Sequence, residues 1–180
     1  MPNCKWTKTE TALISDNSER ARIHIRYQPP QEYDLRVVAK RESSKGEIDI
    51  ILPRANDAVS YRLFIPQWMA GFASSQPDGK PNATWCVMPD GAPDNRWTTI
   101  LRVRNDGIRA YINGKLISHL SPALKKLTTP PEWRLADRTC LGLGSDQKQT
   151  AFESIDLIPI TGTGKPLTTL QTEGAEHERF

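Results

Sequence analysis

The feature that most constrains the fold lies between Trp97 and Ile117, where the residues of an apolar stripe recur at every second position. A period of two over β-branched residues is typical of strands that bury one face. Asn105-Asp106-Gly107 and Asn113-Gly114 interrupt the run, and such residues supply the positive φ angles that short hairpin turns need. The sequence therefore predicts an antiparallel meander. The positions expected to face its core are Thr99, Leu101, Val103, Ile108, Ala110 and Ile112.

The rest of the chain also favours an all-β fold. Hydrophobic residues make up 37% of the sequence, and 14 prolines and 11 glycines are spread along it, which is typical of many short strands and turns. We expect a single domain over residues 1–165, one helical turn near 122–127, and a polar tail or linker over 166–180. Further strands are predicted at 12–15, 21–27, 33–41, 47–52, 60–66, 141–144 and 151–159.

Several turn and strand motifs follow one another in a characteristic order. They are Glu32-Tyr33-Asp34-Leu35, Trp97, Asp106-Gly107, Asn113-Gly114-Lys115, Trp133, Leu141-Gly142-Leu143-Gly144-Ser145 and Thr161-Gly162-Thr163-Gly164. Over residues 6–165 the chain resembles the concanavalin A-like lectin/glucanase superfamily, which includes laminin G-type domains. More narrowly, it is similar to uncharacterised bacterial extracellular or periplasmic domains abundant in planctomycetes. The resemblance implies a two-sheet antiparallel jelly-roll sandwich.

One predicted strand, residues 47–52, carries two carboxylates on one face. It is similar to the catalytic strand of family 16 glycoside hydrolases, relatives in the same superfamily. Glu47 and Asp49 match that strand, but Ile51 or Leu52 stands where the general acid is expected, and neither can protonate a leaving group. The favoured interpretation is a solvated acidic strand face. The alternatives are contact with a bound sugar or a cation, and a hydrolase whose acid comes from elsewhere.

Aromatic residues supply the remaining site candidates. Residues 67–96 contain four prolines, three glycines and two tryptophans, and they predict a long excursion with one or two short strands. Trp68 and Trp85 lie in this excursion and are candidates for stacking on a sugar ring, with structural packing as the alternative. Trp6, Trp97 and Trp133 are expected in the core. Candidate polar ligand contacts on the strands are Arg62, Arg102, Arg109 and Tyr111.

Charge and hydropathy argue against a nucleic-acid-binding or membrane-spanning protein. The net charge is only +3 with both signs interspersed, so we expect no nucleic-acid partner. The sequence contains no run of 18 consecutive apolar residues, so we expect no membrane span. The first residues lack the apolar region of a signal peptide, which leaves two alternatives: a cytoplasmic chain, or an extracellular or periplasmic one whose leader or upstream domain was removed. The alternating glycines of 141–145 predict a strand that permits close packing.

The cysteine, histidine and acidic residues define neither a metal site nor a disulfide by their spacing. The three cysteines and three histidines show no zinc spacing, and we expect free thiols. A Cys86–Cys140 disulfide is the alternative if the chain is exported. We expect no required cofactor, although the superfamily resemblance implies calcium at a loop rim. Candidate calcium ligands are Asp90, Asp94 and Asn95, or Asn56 and Asp57.

Together these observations predict a non-catalytic module that recognises a carbohydrate or an extracellular protein partner, as the resemblance implies. A glycoside hydrolase with an atypical acid is the first alternative, and a structural accessory domain of a larger protein is the second. An enzyme needs two carboxyls that converge in an open cleft, whereas a lectin needs an accessible aromatic beside groups that bind hydroxyls.

Overall fold

Two antiparallel β-sheets pack face to face in the computed structural model of the chain. The structure describes residues 4–43, 45–54, 57–73, 82–89, 92–122 and 127–167. Within these ranges there is no α-helix, only short 3₁₀ turns such as Ile65–Gln67 and Pro131–Trp133. No helix long and apolar enough to cross a membrane occurs in the described part of the chain. The predicted all-β sandwich is confirmed.

The seven-stranded sheet has the order β1-β2-β14-β5-β10-β11-β12. Its centre is formed by the two long strands β5 and β14, which pair antiparallel. The strands are β1 (Trp6–Lys8), β2 (Leu13–Ser15), β5 (Glu32–Arg41), β10 (Arg96–Arg104), β11 (Gly107–Ile112), β12 (Lys115–Leu120) and β14 (Thr150–Thr161).

The six-stranded sheet has the order β3-β13-β6-β7-β8-β9, and β4 and β15 form a separate two-stranded sheet. The strands of the six-stranded sheet are β3 (Ala21–Ile25), β6 (Glu47–Arg54), β7 (Asp57–Phe64), β8 (Met69–Ala73), β9 (Cys86–Val87) and β13 (Leu141–Ser145). The small sheet pairs β4 (Tyr27–Gln28) with β15 (Lys165–Pro166).

The predicted meander is β10, β11 and β12, and its alternation places the apolar residues in the core. Leu101, Ala110 and Ile112 are fully buried between the sheets. Asn113 and Gly114 both adopt positive φ angles, 48° and 83°, as a two-residue hairpin turn requires. In the other hairpin only Gly107 does, with a φ of 136°.

The long excursion folds back onto the six-stranded sheet. It contains the short strands β8 and β9 and, between them, residues 82–85. The side chains of Asn82 and Thr84 form hydrogen bonds with the backbone of β8. The amide of Phe72 donates to Thr84 Oγ1 at 2.9 Å, and Asn82 donates to the Phe72 carbonyl at 2.7 Å. Most of the predicted helical turn at 122–127 lies outside the described residues, as does the tail beyond Leu167. The domain and tail boundaries stay predictions.

A segment that we call the strap, residues 127–140, crosses the outer face of the six-stranded sheet. The amide of Thr129 donates to the Ala58 carbonyl at 3.0 Å. From β3, Arg22 donates to the Glu132 and Arg134 carbonyls, and His24 Nε2 accepts from the amide of Ala136. The strap therefore gives this sheet a second covered side, while the opposite sheet has no such cover among the described residues.

Candidate functional site

A single transverse row of residues crosses the outer face of the six-stranded sheet. Strand register places Gly144 opposite Asp49, Asp49 opposite Arg62, and Arg62 opposite Gly71. Alternation directs the next residues of β6, such as Ile48 and Ile50, into the core instead. The row thus collects one acid and one base between two glycines, on four neighbouring strands.

Each glycine of the row accommodates a tryptophan. A Cβ added to Gly144 would lie 2.4 Å from Cζ3 of Trp133, and one added to Gly71 would lie 2.8 Å from Cγ of Trp85. Any side chain at these two positions would therefore displace an indole ring. Trp133, which is part of the strap, is 2% exposed, whereas Trp85 is half-buried and keeps part of its surface in contact with solvent.

The charged part of the row is a three-residue cluster of Glu47, Asp49 and Arg62. Nε of Arg62 lies 2.8 Å from Glu47 Oε2 and 3.2 Å from Asp49 Oδ2. Asp49 is fully buried and also accepts a short hydrogen bond from Ser60. The side chains of Arg62 and Glu47 keep 15% and 17% of their surface exposed, so the cluster opens to solvent at these two residues.

Arg62 is held from above as well as from the side. Its guanidinium carbon lies 5.5 Å from the centroid of a Trp133 ring, in the range of a cation–π contact. Its Nη2 is buried and has no hydrogen-bond partner among the described residues. The cluster therefore retains one donor whose hydrogen-bonding capacity is unused among the described residues.

Two partly or fully buried carboxylates share one guanidinium, and their protonation depends first on burial and then on these charges. Burial, together with the neighbouring Asp49 carboxylate, raises the pKa of Glu47 to about 7 against the attraction of Arg62. Burial also raises the pKa of Asp49, again opposed by Arg62 and by the bond from Ser60. Since one positive charge balances only one negative charge, the site favours holding one proton near neutral pH.

The start of β6 is fixed by a buried arginine from the opposite sheet. Arg41 is 1% exposed, and its guanidinium donates to the carbonyls of Glu47 at 2.6 Å, Asp146 at 2.9 Å and Lys148 at 3.1 Å. Three carbonyl acceptors stabilise this buried cation in place of water. Arg41 thereby fixes the backbone from which the Glu47 side chain extends.

The structure divides the predicted site residues between two faces. Glu47, Asp49, Arg62 and Trp85 lie together on the outer face of the six-stranded sheet. Trp68 ends the turn between β7 and β8, with a φ of 52° and 38% of its surface exposed.

Arg109 and Tyr111 lie on β11, on the outer face of the other sheet. There Nη2 of Arg109 lies 2.8 Å from Oδ2 of Asp106. The guanidinium carbon of Arg102 lies 4.9 Å from the ring centroid of Tyr111, in a cation–π contact. The sandwich separates these two residues from the cluster, so the predicted residues do not form one site.

One sequence-based interpretation is wrong. The acidic face of β6 is not solvated, because the strap, Arg62 and Ser60 together remove Asp49 from water. Sequence patterning also assigned Trp133 to the core. It is buried as expected, yet it lies outside the space between the sheets, against Gly144. The alternating glycines predicted the close packing, but nothing in the sequence identified the tryptophan that uses it.

The metal and disulfide predictions have separate outcomes. All three cysteines are free, with Cys86 exposed and Cys140 buried, so the Cys86–Cys140 disulfide is not formed. The described residues contain no group of three or more His, Cys, Asp or Glu side chains placed to hold a metal ion. Asp90 and Asn56 lie outside the described residues, as does the side chain of Asp57. Calcium binding at these positions and at Asp94 and Asn95 stays a prediction.

No protein-family model matches the sequence, and no curated protein matches it. Solved structures match it over most of its length. The carbohydrate-binding module CBM66 from Bacillus subtilis has a TM-score of 0.62 at 8% identity, covering 86% of this chain and 91% of that one. The VIP36 exoplasmic/lumenal domain in its Ca²⁺/Man3GlcNAc-bound form has a TM-score of 0.61 at 9% identity, covering 91% of this chain and 85% of that one.

The galectin LEC-6 from Caenorhabditis elegans has a TM-score of 0.51 at 14% identity, covering 87% of this chain and 96% of that one. These likenesses establish the fold as a sandwich of the galectin and carbohydrate-binding-module type, and the expected concanavalin A-like architecture is confirmed in that form. The narrower similarity to planctomycete-type domains stays a prediction.

Proposed function

We propose that this domain binds a glycan on the outer face of the six-stranded sheet, beside Arg62 and between Trp85 and the strap. The observation that carries the proposal is the transverse row. Arg62 offers an unpartnered donor, Glu47 offers a partly exposed carboxylate, and Trp85 offers part of an indole within one register position of Arg62. Sugars bind to such sites through hydroxyl hydrogen bonds and stacking on an aromatic face.

The fold supports the same assignment. Two of the similar solved structures are a carbohydrate-binding module and a domain with a bound mannose-containing glycan, and a third is a galectin. A shared sandwich alone is a weak argument for function, since one fold hosts many activities. The row of charged and aromatic residues adds a site-level argument, which the fold by itself lacks.

We infer that the domain recognises the glycan without hydrolysing it. Retaining hydrolysis needs two carboxyls that both reach the scissile bond. Asp49 is fully buried beneath Arg62 and Ser60, so only Glu47 of the pair is accessible to a ligand. The position two residues further along β6, Ile51, is apolar and belongs to a buried cluster with Leu135 and Cys140 of the strap.

Binding to a glycan array, followed by titration of the strongest hit, tests the proposal. Trp85→Ala is expected to weaken binding about tenfold, since stacking on an indole contributes about 1–2 kcal/mol. Arg62→Lys is expected to weaken it as well, because an ammonium cannot replace the free Nη2 donor while it balances the carboxylates. Trp68→Ala tests whether the second tryptophan of the excursion belongs to the same site.

Tyr111→Ala is the matched control, because it removes an aromatic from the outer face of the opposite sheet. It should leave glycan affinity unchanged. A domain that binds no glycan on the array, or that loses affinity with Tyr111→Ala and keeps it with Trp85→Ala, would contradict the proposed site. Release of reducing ends by the wild type, abolished in Glu47→Gln, would instead establish the hydrolase alternative.

A further inference from the structure

A separate cleft of about 550 Å³ opens at the end of the sandwich where β6 and β10 end and β5 begins. Both sheets line it: Tyr33 and Val103 come from the seven-stranded sheet, and Pro53 and Arg54 come from the six-stranded sheet. Glu47 lies at the other end of β6, seven residues before Arg54. The cleft is therefore distinct from the transverse row, and a ligand bound in it would not contact the proposed glycan site.

The described lining of the cleft contains two arginines and no carboxylate. Arg104 is already paired: its Nη1 donates to the carbonyls of Tyr33 at 3.0 Å and Val103 at 2.8 Å, and its Nη2 donates to Asp34 at 2.6 Å. Arg54 differs, because its Nη1 is shielded from water and has no hydrogen-bond partner among the described residues. Among the described residues, Arg54 is thus the arginine of the cleft whose charge is not already paired.

A second lining residue carries an unpartnered polar atom. The side chain of Tyr33 is 1% exposed, and its hydroxyl has no hydrogen-bond partner in the described part of the chain. Burial raises the pKa of this phenol well above its usual value, so it stays protonated and able to donate. Buried polar groups are paired in nearly all proteins, and two orphans in the lining of one cleft indicate a missing acceptor.

We propose that this cleft binds the anionic group of a small organic acid, a carboxylate or a phosphate ester, which accepts hydrogen bonds from Arg54 and Tyr33. A charged acceptor satisfies a guanidinium better than a neutral one does, and an aromatic hydroxyl adds a second donor. Prolines Pro29, Pro30 and Pro53 line the same cleft and offer rigid apolar walls to the carbon skeleton of the ligand.

Titration of the isotope-labelled chain, followed by NMR, tests this with four probes. D-glucuronate carries a carboxylate, D-glucose 6-phosphate carries a phosphate ester, D-glucose is the neutral match, and inorganic phosphate is the bare ion. At least one of the two organic acids is expected to bind saturably, with shifts at residues 28–33 and 103–107. The acid that binds identifies the anionic group.

Variants then assign the donors. Arg54→Met should weaken binding of the acid about tenfold or more, and Tyr33→Phe should weaken it severalfold. Tyr33→Phe should not lower the melting temperature without ligand, because it removes a hydroxyl that has no partner among the described residues. Arg109→Met is the control, since it removes an arginine from the opposite sheet's outer face. Arg54→Lys, which keeps the charge, replaces Arg54→Met if the latter fails to fold.

Three outcomes would overturn the proposal. The first is that neither organic acid binds up to about 10 mM, which is weaker than a built site allows. The second is that D-glucose binds as tightly as the acids, in which case charge plays no part. The third is that inorganic phosphate binds as tightly as the acids, which would make the cleft an ion site without a place for a carbon skeleton. None of these outcomes bears on glycan binding at Trp85.

Discussion

The two outer faces of the sandwich carry charged residues in opposite ways. On the seven-stranded sheet, Arg36 and Asp156 form an ion pair at 2.9 Å with about half of each side chain exposed. On the six-stranded sheet, Arg62 holds two carboxylates, one of them fully buried. The first arrangement is a one-to-one pair in water, and the second is a partly desolvated cluster with one cation for two anions.

The difference arises from the cover on each face. The strap brings Trp133 onto the six-stranded sheet and excludes water from Asp49, which makes every interaction in the cluster stronger and every missing partner more costly. Water screens the exposed pairs on the other sheet, and such pairs contribute little to stability. The same residue types therefore form a desolvated structural cluster on one face and solvent-screened pairs on the other.

The largest expected effect is the loss of the shared cation. Arg62→Met should lower the free energy of unfolding by about 3–5 kcal/mol, because it leaves Glu47 and Asp49 facing each other without a positive charge. Arg36→Met, the control on the other face, should cost about 0–1 kcal/mol. Urea denaturation at neutral pH measures both. Equal costs for the two variants would refute the contrast between the faces.

The two faces should also respond oppositely to pH. Because the folded-state pKa of Glu47 is raised from 4.5 to about 7, folding favours its protonated form, and the wild type should lose stability as the pH rises through that window. Glu47→Gln should remove this loss, worth about 3 kcal/mol, and should match the wild type only at pH values below the window.

Asp156 is the counterpart on the exposed face. The hydrogen bond from Ser154 and the charge of Arg36 lower the pKa of Asp156, so its contribution is present above its ordinary value and is lost as the pH falls. Asp156→Asn should therefore reduce stability at neutral pH and have no effect in strong acid. Chemical denaturation at a series of pH values compares the two variants. A Glu47→Gln curve parallel to the wild type would show that Glu47 titrates normally.

A smaller effect is expected from filling the space above the row. Gly144→Ala should destabilise the domain by about 1–2 kcal/mol, because the new Cβ would overlap the Trp133 ring. Lys40→Ala, on the exposed outer face of β5, should change stability by no more than about 0.5 kcal/mol. Thermal unfolding followed by tryptophan fluorescence also reports any displacement of the indole. An unchanged Gly144→Ala protein would mean that the strap moves without cost.

The smallest effect concerns the aromatic on the other face. Tyr111→Ala removes the ring under the Arg102 guanidinium and should cost about 0.5–1 kcal/mol, as expected for a cation–π contact at the surface. Calorimetric unfolding of this variant, of Arg102→Ala and of the double variant isolates the pair energy. A pair energy above that of the Arg62 cluster would reverse the ranking of the two faces.

Much of the strand arrangement could be read from local patterns. The alternation around Leu101 and Ala110 and the Asn113-Gly114 turn predicted the meander, because side-chain period and turn conformation are properties of a few neighbouring residues. The same reasoning placed Glu47 and Asp49 on one face of a strand. It did not reveal their surroundings, and it grouped Arg109 and Tyr111 with them although the sandwich separates these residues.

The amino-acid sequence by itself determined the all-β class, most of the strands and the buried side of the meander strands, since these follow from period-two hydrophobicity and turn chemistry. Only the tertiary structure decided that Gly144, Asp49, Arg62 and Gly71 form one row, and that Trp133 and Trp85 lie on its two glycines. That row joins four strands from distant parts of the chain. Inter-strand register and the path of the strap are long-range properties, and they set the burial that gives these charges their chemistry.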